Sequence, residues 1–126
     1  MSEHAGRKCW AIPEGYIPGD SVDPKDPTLV SHEVACLFNP SADDAHIEIT
    51  IYFEDREPVG PYKIALGARR TKHLRFNDLK DPEPIPRDTS YASLIESSVP
   101  IIVQHTRLDS RHPNVALLST IAYAVD

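Results

Sequence analysis

The segment "AHIEITIYFE", residues 45–54, alternates between apolar and polar side chains with a period of two. One set of alternating positions carries large apolar side chains, at Ile47, Ile49, Ile51 and Phe53. The other set is polar or amphipathic, at His46, Glu48, Thr50, Tyr52 and Glu54. Because successive side chains of a β-strand point to opposite faces of a sheet, this segment predicts a strand with one face in a core and the other in water.

Short segments of similar character recur on both sides of residues 45–54. The further predicted strands cover residues 8–12, 29–38, 62–66, 71–76, 101–108 and 116–125. In the second of these, one face carries Val30, Val34, Cys36 and Phe38. Residues 88–98 are predicted as a strand that turns at Ser97–Ser98 into the next strand.

Prolines separate most of these apolar segments. The chain contains 12 prolines, and since proline interrupts helices, their spacing leaves little room for long helices. Strands joined by Pro-, Gly- and Asp-rich turns predict an all-β protein, a single-domain antiparallel β-sandwich of about seven to eight short strands. A length of 126 residues suits one domain spanning residues 1–126.

Composition limits the environment in which the protein works. A hydrophobic content of 40 % and a charged content of 25 % are ordinary for a soluble globular protein. No apolar segment approaches the roughly 20 residues that span a bilayer, and the first residues lack the apolar region of a secretory signal. We therefore expect a cytoplasmic protein, with Cys9 and Cys36 as reduced thiols buried among apolar side chains.

Positive charge is concentrated in residues 69–75, although the chain as a whole is acidic. On a strand, one face would carry Arg69, Thr71, His73 and Arg75, while Leu74 and Phe76 would face the core. One interpretation is that this row contacts an anion, such as a phosphate, a carboxylate or an acidic protein. The other is that it pairs across the sheet with acids of a neighbouring strand, for which the candidates are Glu48, Glu54 and Asp55.

A second polar run, residues 103–111, follows the apolar start of its strand. One side of the alternation carries His105, Arg107, Asp109 and Arg111, and the other carries Gln104 and Thr106. This position favours ligand contacts, in a pocket formed by Gln104, His105 and Arg107 together with Trp10 or Arg75. Alternatively, Arg107 and Asp109 pair with each other or with neighbouring strands.

The sequence contains no motif for catalysis, metal binding or cofactor binding. It has no G-x-S-x-G nucleophile motif, no H-E-x-x-H zinc motif and no glycine-rich phosphate loop. Two cysteines supply only half of a four-cysteine zinc site. These features predict a non-enzymatic protein without a metal or a cofactor.

Five longer segments resemble the soluble sensory-rhodopsin transducer family, in the same order along the chain. They are "CWAIPEGYIP" (9–18), "AHIEITIYFEDREPVGPYK" (45–63), "ARRTKHLRFNDL" (68–79), "VPIIVQHTRLDSR" (99–111) and "ALLSTIAYA" (116–124). The resemblance implies a small β-sandwich that forms a homotetramer and has no established enzyme activity. It also implies a cytosolic partner of a seven-helix retinal photoreceptor. DNA binding and the binding of small molecules such as sugars have also been suggested within this family.

Each function that the resemblance implies has a matching feature in the sequence. Cytoplasmic loops of membrane proteins are rich in Lys and Arg, so a photoreceptor would meet the acidic loops 18–27 and 78–88. The acids of these loops are Asp20, Asp23, Asp26, Asp78, Asp81 and Glu83. DNA phosphates would instead meet the basic segment, through Arg69, Arg70, Lys72, His73 and Arg75. A sugar-like or anionic small ligand would occupy the pocket predicted around Arg107.

Overall fold

The computed structural model describes residues 5–126, and nearly all of its regular structure is extended. Its eight strands are β1 (Arg7–Tyr16), β2 (His32–Asn39), β3 (Ala45–Phe53), β4 (Val59–Leu66), β5 (Arg70–Arg75), β6 (Ser90–Asp109), β7 (Ala116–Ile121) and β8 (Tyr123–Ala124). A short 3-10 helix, Phe76–Asp78, follows β5. All strand pairs are antiparallel, which confirms the predicted all-β sandwich. Within the described range, no helix combines the length and the hydropathy needed to cross a membrane.

The long strand β6 belongs to both layers of the sandwich. Its first half lies between β1 and β3, so the first layer has the order β4-β3-β6-β1-β8. Its second half lies between β2 and β7, so the second layer has the order β5-β2-β6-β7. Ile95 therefore stands opposite Ile49 in the first layer, whereas His105 stands opposite Ala35 in the second.

The predicted turn at Ser97–Ser98 is wrong, because β6 continues through both serines as one strand. The Ser97 hydroxyl accepts a hydrogen bond from the Val99 N–H (3.3 Å), and the Ser98 hydroxyl accepts one from the His46 N–H (2.9 Å). Pro100 follows at the point where the strand changes neighbours, so its missing N–H removes no bond from either ladder. The residues that indicated a turn thus mark the passage of β6 from one layer to the other.

The alternation in β3 is confirmed by the position of the core. Ile47, Ile49 and Ile51 are almost fully buried, and they join side chains from both layers in a common apolar cluster. Phe53, at the end of the strand, is only half-buried. The face that was read as apolar in the sequence is therefore the face that the second layer covers.

In β2 the more apolar face does not point into the core. Phe38 is 44 % exposed, and it shares the outer face with Val34 and Cys36. The core instead receives the alternate positions Glu33, Ala35, Leu37 and Asn39. The polar members are tolerated because they are hydrogen-bonded. The Asn39 amide, for example, donates to the carbonyl oxygen of Asp43 (2.8 Å) and to that of Gly67 (3.2 Å).

Gly15 of β1 lies against the ring of Tyr91, and a Cβ at this position would stand 2.4 Å from the ring. Phe76 holds that ring edge-on from another side, with the ring centroids 5.9 Å apart. We therefore expect Gly15→Ala to lower the free energy of unfolding by roughly 1–3 kcal/mol, as measured by urea denaturation. Gly67→Ala is the control, since a Cβ there would meet its nearest neighbour at 3.5 Å. Equal losses in the two variants would contradict tight packing at Gly15.

Candidate functional site

An ionic cluster lies inside the sandwich, where inward positions of β2 and β6 meet. The carboxylate of Glu33, whose side chain is 0 % exposed, accepts hydrogen bonds from His105 Nε2 (3.0 Å), Arg107 Nε (3.0 Å) and Arg107 Nη2 (3.2 Å). The backbone N–H of Tyr16 donates to the same carboxylate at 3.0 Å. Arg107 also pairs with Glu14 of β1 at 2.9 Å, so one guanidinium links three strands of both layers.

Hydrogen bonding keeps Glu33 ionised in spite of its burial. Burial by itself raises the pKa of this carboxyl, but the donors on His105, Arg107 and Tyr16 together hold the pKa below its ordinary value. Burial likewise lowers the pKa of Arg107, but its bonds to two carboxylates raise it by more. Because the carboxylate is charged and surrounded by donors, the cluster is suited to fixing the strands rather than to transferring protons.

Two hydroxyl groups on the buried face of β6 have no hydrogen-bond partner among residues 5–126. They belong to Tyr91 and Ser93. Burial, followed by the negative charge of Glu33, raises the pKa of Tyr91 far above its ordinary value, so this hydroxyl stays neutral. The interior of the sandwich is therefore more polar along β6 than the apolar alternation of the sequence indicates.

The predicted ligand pocket is not formed by the residues proposed for it. Gln104 and His105 are neighbours in β6, so His105 points into the ionic cluster while Gln104 lies exposed on the opposite face. Trp10 is buried, and its indole N–H donates to two backbone carbonyls at 2.9 and 3.0 Å. Arg75 lies on the outer face of the second layer, away from Arg107. The structure therefore does not bring Gln104, Trp10 and Arg75 together with His105 and Arg107, and the binding of a small ligand stays a prediction.

The alternative interpretation of residues 103–111 is ion pairing with neighbouring strands. Arg107 does form such pairs, with Glu33 of β2 and Glu14 of β1. Asp109 pairs with Arg111 instead, at 2.7 Å. Hydrogen bonding from Arg111 lowers the pKa of the Asp109 carboxyl. The Asp109–Arg111 pair thus stabilises the end of β6.

The basic strand β5 covers Arg70–Arg75, close to the predicted residues 71–76. Arg69, which was expected on the same face as Thr71, lies in the preceding turn with a φ of 54°. The strand pairs with β2 and not with β3, so the expected cross-strand partners Glu48, Glu54 and Asp55 do not lie opposite it.

The arginines and the lysine of the basic segment remain without carboxylate partners in the described part of the chain. No salt bridge there involves Arg69, Arg70, Lys72 or Arg75. Arg70 and Lys72 are exposed, whereas Arg75 is half-buried and shares the outer face of the second layer with His73. DNA binding through this segment stays a prediction.

The acids expected to contact a partner lie between β1 and β2 and between β5 and β6. Four of them are exposed: Asp20, Asp23, Asp78 and Asp81. Asp26 is half-buried, and hydrogen bonds from Thr28 lower its pKa. Glu83 pairs with Arg56 at 2.9 Å. Of the six acids, the four exposed aspartates are therefore the most accessible to a partner.

An apolar surface that the sequence interpretation missed lies in residues 115–125, here named the C-terminal arm. It holds six of the nine large hydrophobic side chains that are exposed in the described residues. The most exposed are Leu117 (68 %), Ile121 (60 %) and Tyr123 (68 %). The available sequence signal is charge, because none of these eleven residues is Asp, Glu, Lys or Arg. An exposed apolar patch of this kind is typical of a protein–protein contact.

Among residues 5–126, no three His, Cys, Asp or Glu side chains are placed to hold a metal ion together. Cys9 and Cys36 are free thiols and are half-buried, so their expected full burial is wrong. Each lies on a face of its sheet that is partly open to solvent.

Comparison with known proteins connects this structure to one family. The family model for the Anabaena sensory rhodopsin transducer matches residues 5–124. A solved structure of the Anabaena sensory rhodopsin transducer is 57 % identical, covers 83 % of this chain and 100 % of its own, and has a TM-score of 0.71. The crystal structure of Thermotoga maritima 1070 is 35 % identical, covers 95 % of this chain and 96 % of its own, and has a TM-score of 0.84. No curated protein matches the sequence.

Proposed function

The chain belongs to the Anabaena sensory rhodopsin transducer family, and from this premise we propose that it is a non-enzymatic adaptor that relays a signal through protein–protein contacts. The observation that carries the proposal is the family match over residues 5–124, together with 57 % identity to a solved transducer. The name of that relative points to a sensory rhodopsin as the upstream partner. The adaptor would work in the cytoplasm, at the inner face of this seven-helix photoreceptor.

Charge complementarity supports contact with such a face. Cytoplasmic loops of membrane proteins carry an excess of Lys and Arg, and this chain has a net charge of -6. Among the acids predicted to meet a partner, Asp20, Asp23, Asp78 and Asp81 are exposed, and all four lie outside the strands. Contacts of this type accelerate association and weaken as salt is added.

Neutralising these four aspartates is expected to weaken binding to the photoreceptor about tenfold at low salt. Each would be changed to asparagine, because the retained oxygen still accepts the turn hydrogen bonds that Asp20 and Asp23 receive from Ser21 and Lys25. The measurement is a titration against sensory rhodopsin in lipid nanodiscs, at low and at physiological salt.

A control removes two negative charges from a different surface. Glu54→Gln/Glu57→Gln alters two exposed acids between β3 and β4, and it should leave the fold intact and the affinity within about twofold of wild type. An unchanged affinity in the aspartate variant would exclude these loops as the contact. Absence of binding by the wild-type chain would exclude the adaptor function itself.

We propose further that the adaptor forms a homotetramer in which β7 makes one of the contacts. Three of the four outer strands are protected against pairing with another chain. β5 carries Arg70 and Lys72, β4 carries Pro61 and Lys63, and β8 has only two residues. β7 has neither a charge nor a proline, and all six of its residues are exposed. A second copy can add its own β7 antiparallel to this edge, which gives a two-fold symmetric contact.

A further inference from the structure

A depression of about 320 Å³ lies on the outer face of the second layer, over β2, β5 and β6. Its lining residues are His32, Val34, Cys36, His73, Arg75 and Thr106. The strand register brings them together, because Val34 stands between Arg75 on β5 and Thr106 on β6, and Cys36 stands opposite His73. Three of the lining residues are basic, and no carboxylate is among them.

Arg75 is half-buried and nevertheless lacks a counter-charge in the described residues. The described residues contain two half-buried arginines, Arg75 and Arg107. Arg107 is paired with the carboxylates of Glu33 and Glu14. Arg75 donates from Nη2 to the backbone carbonyl of Pro27 (3.0 Å), and no salt bridge neutralises its charge. The bond to Pro27 holds the guanidinium in place while leaving other N–H groups free.

His32 adds a second partly buried basic group to the same depression. Its Nδ1 contacts the carbonyl oxygen of Val30 at 2.6 Å, which leaves Nε2 for another partner. Burial lowers the pKa of His32, and the positive charge of Arg75 lowers it further. An anion between these groups would compensate both effects, because it interacts favourably with a guanidinium and with a protonated imidazole.

We propose that this depression binds a small oxyanion of the phosphate type. The guanidinium of Arg75 supplies the directed N–H donors that suit tetrahedral oxyanions. His73 on β5 supplies an imidazole donor, and His32 on β2 donates from Nε2 when its ring is protonated, because its Nδ1–H is already bonded to Val30. The hydroxyl of Thr106 is a neutral donor at the β6 side. The buried side chain of Val34 forms the floor and reduces competition from water.

This site is separate from β7, the strand proposed to contact a second copy. It lies toward the β5 edge of the second layer, whereas β7 forms the other edge. A phosphate ion alone is therefore sufficient to test it, with no partner protein present.

The test is a titration of the full chain with phosphate, in which NMR of the histidine rings monitors binding. Chloride keeps the ionic strength constant throughout the titration. We expect saturable shifts of the His32 and His73 resonances. His46, on the outer face of the first layer, and His112, in the exposed loop after β6, serve as internal controls and should not shift in parallel. Parallel shifts of all four rings, or shifts that never saturate, would overturn the proposal.

Three variants distinguish binding at this site from a general effect of positive charge. Arg75→Gln should weaken phosphate binding at least about tenfold, and so should His73→Gln, which alters an exposed side chain and leaves the fold intact. Lys72→Gln removes one charge from the same strand but on the opposite face, and should change the affinity less than about twofold. Equal weakening by Lys72→Gln and Arg75→Gln would show bulk electrostatic attraction and would overturn the assigned site.

Discussion

Replacing Glu33 with alanine is expected to lower the free energy of unfolding by about 3–5 kcal/mol. The substitution leaves the imidazole of His105 and the guanidinium of Arg107 between the layers without the carboxylate that both of them contact at 3.0 Å. It also removes the acceptor of the Tyr16 N–H. Urea denaturation followed by the fluorescence of Trp10, the one tryptophan of the chain, measures the loss.

The other carboxylate on the same arginine provides the control. Glu14 contacts Arg107 at 2.9 Å, but its side chain is 69 % exposed. Solvent screens this pair, so Glu14→Ala should cost less than about 1 kcal/mol. Similar small losses in the two variants would show that the ionic cluster does not stabilise the sandwich.

The ionic cluster should also make stability depend on acid pH. Burial raises the pKa of Glu33, but hydrogen bonds from His105 and Arg107 outweigh it, so the folded pKa lies below the unfolded value of 4.5. The folded state therefore binds fewer protons, and the stabilisation is present above pH 4.5 and is lost as the pH falls through the folded pKa. Glu33→Ala should show a flatter fall of stability with acid than wild type. An unchanged slope would contradict a depressed pKa.

Charging the C-terminal arm is expected to prevent the self-association that we propose for this chain. Leu117→Lys/Ile121→Lys places two charges on side chains of β7 that are 68 % and 60 % exposed in one chain. Lysine on an edge strand opposes pairing with another strand, and a second copy would bring the same charges close together. We expect the dissociation constant of self-association to rise at least about 100-fold. Sedimentation velocity over a range of concentrations measures it.

A control with the same change of charge uses exposed apolar residues outside the arm. Val22→Lys/Tyr52→Lys alters side chains that are also exposed, at 44 % and 41 %, in a loop and on β3. This variant should form an assembly of the same mass as wild type. A wild-type mass for the Leu117→Lys/Ile121→Lys variant would exclude β7 as a contact, and a monomeric wild-type chain would exclude the homotetramer.

The sequence predicts the strands of this fold well where one face is uniformly apolar. β3 is the clearest example, because Ile47, Ile49 and Ile51 leave only one register in which the core is filled. The pattern is misleading in β2, where Glu33 and Asn39 occupy the core and Phe38 lies outside. Alternation reports hydrophobicity alone, and it cannot show that a buried polar side chain has found its hydrogen-bond partners on other strands.

The candidate sites were harder to predict, because their residues come from strands far apart in the sequence. The sequence places His105 and Arg107 on one side of a polar run, but their common partner Glu33 lies 72 and 74 residues away. The sequence interpretation of the basic row does not include His32. That residue comes close to Arg75 only because β2 pairs with β5 and β6. Strand order depends on long-range contacts, and a single sequence does not specify it.

A transducer must bind two states of its photoreceptor with different affinities, because a partner can shift an equilibrium only by its differential affinity for the two states. The most direct test of the proposed function is therefore the affinity of this chain for Anabaena sensory rhodopsin in nanodiscs, measured in darkness and under continuous illumination. We predict saturable binding in both conditions, with dissociation constants that differ at least about fivefold. Equal dissociation constants, or no saturable binding in either condition, would contradict a role in relaying the signal.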